Sequence, residues 1–212
     1  MELKTVKYDR KYRTDCIELM GDTWNLNTYF KGLKKTNLVN ELYFDGCLLD
    51  ENYSEVIIDE EDRVHGYLIG KTEGGKGNFL KSAGRKLVLI LKGLYHLTAG
   101  NFGSRSDAVR LLRELGKLSE RLDRNRKEFG GYVNVFFISS SLRGMGWGRK
   151  LMDHFTEYCR ANGNNGVYLW TDLGCNYGFY DHYGFVQSDR IHSPLLDNPE
   201  NEYNGFVYTL RF

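Results

Sequence analysis

Proline is nearly missing from this chain. Two occur in 212 residues, Pro194 and Pro199, both in a polar stretch between 191 and 204. A proline-rich linker or polyproline ligand is excluded, and a polar loop is expected in that stretch. An excess of charge is missing too: 29 Lys+Arg stand against 28 Asp+Glu, a net charge of +1. That balance gives no general attraction to nucleic acid or to an anionic membrane, so neither is expected as a partner, and any anion must be bound locally. The four cysteines (Cys16, Cys47, Cys159, Cys175) form no CxxC pair and have no histidine at ligand spacing. Reduced thiols and no metal site are expected. Long apolar runs are absent: Leu87 to Leu91 reaches Leu97 only across Lys92, Gly93 and His96, too short and too interrupted to span a bilayer. Met1-Glu2-Leu3-Lys4 lacks the apolar segment of a signal peptide, so a cytoplasmic location is expected.

What is present is a chain with 41% hydrophobic residues, enough for one buried core over residues 1–212. Its centre is Tyr132-Val133-Asn134-Val135-Phe136-Phe137-Ile138, a β-branched and aromatic run that reads as a strand. A polar link, Ser139 to Leu142, leads to Arg143-Gly144-Met145-Gly146-Trp147-Gly148-Arg149-Lys150. Here a glycine-rich loop opens a helix over Trp147 to Ala161, with apolar residues at Leu151, Met152, Phe155, Tyr158 and Cys159. A helix N-terminus offers N–H groups without intrahelical partners and a positive dipole end, and glycines let an anion reach the main chain. Arg143 can grip a phosphate in bidentate fashion, with Arg149 and Lys150 adding charge. Basic residues are disfavoured at a helix start unless an anion is near. Gly144-x-Gly146-x-Gly148 is not the GxGxxG of dinucleotide sites, and the link from strand to glycine is too long for that turn.

Before this stretch, residues 2–8 read as a strand and Tyr12 to Met20 as a helix. Residues 21–49 read as short helices and loops carrying Trp24, Tyr29, Phe30, Tyr43 and Phe44, aromatics that suit a core more than a cleft. Ser54 to Asp59 and Val64 to Lys71 make an antiparallel hairpin across a charged turn. A flexible glycine link follows at 74–77, then two helical stretches, 79–97 and 106–128. They form a helical insertion at about 74–129 that reads either as a lid or homodimerisation arm or as a specificity element over the active site. After the glycine-loop helix come a strand at Val167 to Thr171, parallel to the central one by the strand-helix-strand rule, and a short helix at Asn176 to Tyr183. A short strand at 185–187 and a final antiparallel strand at Gly205 to Phe212 complete the chain. The class is mixed α+β: a mostly antiparallel sheet with one parallel pair.

Arg143-x-x-Gly146-x-Gly148 fits the [QR]-x-x-G-x-[GA] pattern of the GCN5-related N-acetyltransferases (GNAT). Phe179-Tyr180-Asp181-His182-Tyr183-Gly184-Phe185 looks like the later FYxxxGF element of that superfamily. The resemblance covers Tyr132 to Phe212 by motif and the N-terminal half by strand order. It implies a GNAT-like sheet whose parallel strands splay apart, with acetyl-CoA as cosubstrate and an amine as acceptor. Phe136, Phe137 and Ile138 would lie nearest the pantetheine, and the N–H groups of Arg143, Gly144, Met145, Gly146, Trp147 and Gly148 would meet the pyrophosphate.

By the same resemblance Tyr180 is the general acid for the departing thiolate, a role a phenol can fill at neutral pH. Backbone N–H groups near Phe137 and Ile138 would polarise the carbonyl. Asn176, one helical turn before Tyr180, either faces the cofactor or caps its helix. The base is open: Asp172 at a strand end leads, with Asn134 through water, Glu18 and Asp22 behind it. His154, His182 and an acyl-cysteine at Cys175 are weaker readings. Acidic residues at Asp45, Asp50, Glu51 and 59–62 would favour a cationic amine. The expected activity is N-acetyl transfer by direct attack; the alternative is a non-catalytic acyl-CoA sensor on the same fold.

Overall fold

Seven strands form one sheet in the order β1-β2-β3-β4-β5-β7-β6. The structure, a computed structural model, describes residues 2–24, 26–30, 32–75, 79–193 and 200–212. The prolines, and Lys76 and Gly77 of the glycine link, lie outside the described residues. The strands are β1 (Lys4–Lys7), β2 (Tyr53–Ile58), β3 (Val64–Thr72), β4 (Gly130–Ile138), β5 (Gly166–Asp172), β6 (Val186–Ile191) and β7 (Gly205–Arg211). The helices are α1 (Arg13–Thr23), α2 (Leu38–Cys47), α3 (Phe79–Thr98), α4 (Arg105–Phe129), α5 (Trp147–Ala161) and α6 (Gly178–Tyr183). All pairings are antiparallel except β4 with β5. β6 runs to Ile191, beyond the short strand expected at 185–187. Its Gln187-Ser188-Asp189-Arg190 run is polar because an edge strand faces water on most of its surface, so it carries no apolar alternation to read.

The parallel pair is short. β4 and β5 are in register only over Gly130–Tyr132 and Gly166–Tyr168. Beyond that point β4 keeps β3 as its neighbour and β5 keeps β7, so the two diverge. A bulge sits at the start of the divergence. Ile69 pairs with Val135 and Gly70 with Val133, leaving Asn134 without a ladder partner. The extra residue switches faces: Val133 packs with the α5 side of the core, whereas Val135 packs with the α1 side.

α5 holds the pair from one face. Leu151, Met152 and Phe155 are fully buried against Leu68, Val167 and Leu169, each stabilising the fold by ~2 kcal/mol. The helix can lie this close because two glycines sit beneath it. A Cβ at Gly70 would meet the Phe155 ring at 2.5 Å, and one at Gly131 the Cys159 sulfur at 2.7 Å. On the opposite face α1 and α2 cover β3 and β4 through Cys16, Met20, Phe44, Tyr67 and Phe137. α4 covers β5 and β7 through Leu122 and Phe129 against Tyr168 and Val207.

Candidate active site

A cleft of about 340 Å³ opens where β4 and β5 part. Its walls are the unpaired halves of the two strands, Val133 to Ile138 and Leu169 to Asp172. Alternate backbone groups of β4 here point away from β3 and have no strand on that side, so N–H and C=O groups face the cleft.

The glycine loop closes one end. Gly144 and Gly146 have φ of 76° and 82°, which a side chain would strain, and Gly146 is the residue before α5 with no side-chain cap. Lys150 N–H donates to the Gly146 carbonyl, the first bond of the helix. The N–H groups ahead of it, on Trp147, Gly148 and Arg149, are the ones a helix leaves free. Gly148 is small for a different reason: a Cβ there would lie 3.3 Å from Phe179 and 3.4 Å from Phe136. That position lets α6 and β4 meet under the loop. Arg143 and Arg149 both line the cleft, and Arg149 also lies 5.0 Å over the Tyr183 ring. Among the described residues, neither forms an ion pair with a carboxylate.

Of the residues expected from the sequence, Phe136, Phe137, Ile138, Arg143, Gly144, Gly146, Gly148, Arg149, Asp172, Asn176 and Tyr180 line this one cleft. Met145, Trp147 and Lys150 do not. The Met145 side chain is 63% exposed, Trp147 packs on the α5 core, and the Lys150 ammonium lies 4.7 Å over the Trp147 ring. Of their backbone N–H groups, those of Met145 and Lys150 donate to the Leu142 and Gly146 carbonyls, which leaves that of Trp147 for the loop. Asn176 makes no side-chain cap to α6, whose preceding residue is Tyr177.

Tyr180 packs between Phe179, Phe185 and Tyr208. Burial pushes its phenol well above the ordinary value, and Cys175 and Asp172 add to the shift. It therefore keeps its proton throughout the neutral range. Asp172 is the one carboxylate lining the cleft among the described residues. It is 3% exposed, and its Oδ1 accepts the Cys175 N–H at 3.0 Å, closing the turn after β5. Burial pushes the Cys175 thiol up to about 12, so the thiolate needed for an acyl-cysteine is not present at neutral pH.

Of the other base candidates, Asn134 alone also lines the cleft among the described residues. Asn134 donates its amide to the Cys47 carbonyl at 2.8 Å, tying the bulge to the end of α2. His154 bonds Glu55 at 3.0 Å and His182 donates to the Gly178 carbonyl at 2.6 Å. Among the described residues no histidine, and neither Glu18 nor Asp22, lines the cleft. The acidic residues expected to draw a cation are likewise paired within the fold. Asp45 holds Arg13 and Lys92, Asp50 holds Lys86, Glu51 holds Arg85, and Asp59 holds His65 and Arg63.

Where α1 and α2 border the cleft, its wall is aromatic. Trp24 meets Tyr43 edge-on at 5.1 Å and Trp170 at 5.6 Å, and all three line the cavity. The Trp24 indole N–H is buried and has no hydrogen-bond partner. Trp24 and Tyr43 pack against the buried clusters under α1 and α2, as their aromatic character suggests, and line the cleft as well, where Trp170 joins them with no signal in the sequence. Their convergence depends on α1 and α2 folding over β5's open end, which no local pattern encodes.

Comparison with known proteins meets this geometry. Residues 108–185, from α4 to the end of the Phe179–Phe185 motif, match the model of the acetyltransferase (GNAT) family. The fold is the GNAT fold. The resemblance carried by the two motifs stands on that match and on the solved structures. A GNAT-family acetyltransferase from Staphylococcus aureus Mu50 superposes with a TM-score of 0.53 at 13% identity, covering 99% of this chain and 100% of that one. Arylalkylamine N-acetyltransferase 2 from Aedes aegypti gives 0.58 at 14% identity, over 100% and 99%. The C-terminal condensation domain of Ebony, in complex with beta-alanyl-dopamine, gives 0.63 at 12% identity over the whole of both chains. No curated protein matches the sequence. In this chain α3 and α4 lie between β3 and β4, and α5 with its glycine loop follows β4.

Proposed function

We propose that the protein transfers an acetyl group from acetyl-CoA to a primary amine by direct attack. The observation that carries this reading is the cleft between the diverging halves of β4 and β5, with the glycine loop at one end and Tyr180 on its wall. The N–H groups from Gly146 to Arg149, with Arg143 and Arg149, suit a pyrophosphate. The free edge of β4 suits a strand-like pantetheine arm, which carries amides of its own. Phe136 and Ile138 supply the apolar side of that channel.

Each chemical demand of aminolysis then has a residue to meet it. Tyr180, protonated and held by aromatic neighbours, donates to the departing sulfur. Backbone N–H groups near Phe137 and Ile138 stabilise negative charge developing on the carbonyl oxygen. Asp172 receives the proton of the attacking amine, directly or through a water. The acceptor approaches from the end walled by Trp24, Tyr43 and Trp170. That wall favours an amine on an aromatic or apolar body, whose ring can stack there and whose ammonium gains cation–π attraction before it is deprotonated. It disfavours a polyamine, which would bring several charges to rings with one carboxylate among them. Arylalkylamine N-acetyltransferase 2 of Aedes aegypti, a structural neighbour, is named for such a substrate.

Purified protein with acetyl-CoA and an amine panel, read by thiol release, tests the reading. Release is expected with phenethylamine-type amines, at a kcat/KM well above that for spermidine. Calorimetric CoA binding without thiol release from any amine would leave a CoA-binding regulatory module instead.

A further inference from the structure

α3 is amphipathic in the unusual sense. Its charged side faces the protein and its apolar side faces water. Arg85 donates to the Leu48 carbonyl at 2.7 Å and meets Glu51 at 3.2 Å. Lys86 meets Asp50 at 2.9 Å and Lys92 meets Asp45 at 3.0 Å. All the carboxylates come from α2 or the turn after it. On the other side Leu87, Val88, Ile90, Leu91, Leu94 and Tyr95 are each between 52% and 65% exposed. A surface helix ordinarily does the reverse.

The exposed face has a definite pattern. Gly84, Leu87, Leu91, Leu94 and Thr98 follow alternating steps of three and four, the spacing of a helix-pairing seam. A Cβ at Gly84 would meet nothing within 4 Å, so the start of the seam is open for a close neighbour. No Asp or Glu occurs anywhere in α3. Arg85, Lys86 and Lys92 are drawn to α2 and the turn after it, and no residue of the seam is charged.

We propose that a second copy of this chain covers this face, the two α3 helices packing across a two-fold axis. Three physical arguments select that occupant. First, the area: six large side chains more than half exposed exceed the few hundred Å² of patch that a monomer ordinarily shows, and approach the ~800 Å² per partner of a stable interface. Second, self-complementarity: a two-fold contact sets each residue of the face against the same face, and a seam without charge meets itself without like-charge repulsion. Third, the other occupants fit worse. A lid swinging over the cleft would have to part Arg85, Lys86 and Lys92 from their carboxylates. A bilayer would favour free cations rimming the apolar face, and Arg85, Lys86 and Lys92 are already paired.

Light scattering behind size exclusion tests this on the full chain. The wild type is expected at twice the chain mass at micromolar concentration. Leu91→Glu and, separately, Val88→Lys are expected at the chain mass, with unchanged circular dichroism and CoA affinity, because both positions are exposed in the folded protomer. An equimolar mixture of Leu91→Glu and Leu91→Lys is expected to recover the double mass. A monomeric wild type, a dimer that survives both single substitutions, or a monomer that floats with anionic vesicles would each overturn the proposal. None of these outcomes depends on the catalytic reading, since mass is measured without substrate.

Discussion

Two side chains on the cleft wall, five positions apart, divide the chemistry. Tyr180 and Cys175 are both pushed up by burial, but the consequences differ. A phenol that never ionises remains a donor, whereas a thiol held neutral is no nucleophile. Tyr180→Phe keeps the ring that packs on Tyr208 and removes only the hydroxyl. It is expected to lower kcat about 100-fold with little change in KM for acetyl-CoA. An unchanged kcat would return Tyr180 to a packing role. Cys175→Ala is expected to retain activity, and its loss together with a trapped acyl adduct on the wild type would replace direct attack by a covalent route. Asp172 is harder to read, because one Oδ1 already closes a turn. Tyr180 could be read from the sequence because its motif is local. The engagement of Asp172 could not, because it depends on where the chain turns after β5.

Elements show the same division. The pattern of α5 is periodic over its whole length and bounded by glycines, so its limits at Trp147 and Ala161 could be read from residues alone. The bulge at Asn134 could not, since the apolar run from Tyr132 to Ile138 looks continuous and only the register with β3 exposes the extra residue. The glycine loop was readable as the turn that opens α5, but its three glycines differ in purpose. Gly144 and Gly146 serve the backbone, and Gly148 serves the contact of Phe136 with Phe179, whose rings lie 5.3 Å apart. Gly148→Ala therefore pushes α6 from β4. It is expected to cost about 1 kcal/mol in denaturant unfolding and to weaken CoA binding, measured by calorimetry. Full stability with weakened binding would mean that the added methyl meets the ligand alone.

For the whole molecule, the part least readable was how the helices between β3 and β4 attach. Their periodicity is plain, but the partners of Arg85 and Lys92 lie 34 to 47 residues earlier in sequence. The acidic residues at Asp45, Asp50 and Glu51 look like an attractor for a cationic substrate until the fold shows them fastening α3. That attachment has a pH dependence whose sign follows from linkage. Burial tends to raise both carboxyls, but Arg13 and Lys92 outweigh it at Asp45, and Lys86, Ser82 and Lys71 outweigh it at Asp50, so both are held below the ordinary aspartate value. A depressed folded value means that the unfolded chain binds protons more readily, so stability falls as pH falls. The contribution is complete above the unfolded aspartate value of about 3.9 and is lost as pH drops through the folded values beneath it. The melting temperature of the wild type is therefore expected to hold steady near neutrality and to decline steeply below about pH 4. In Asp45→Asn/Asp50→Asn, Lys92 and Lys86 lose these carboxylates at every pH, while Arg85 keeps Glu51. That variant should start lower at neutral pH, by the modest amount typical of part-exposed pairs, and decline less steeply in acid. Parallel melting curves for the two proteins from pH 7 to pH 3 would show that these pairs do not hold α3 in solution.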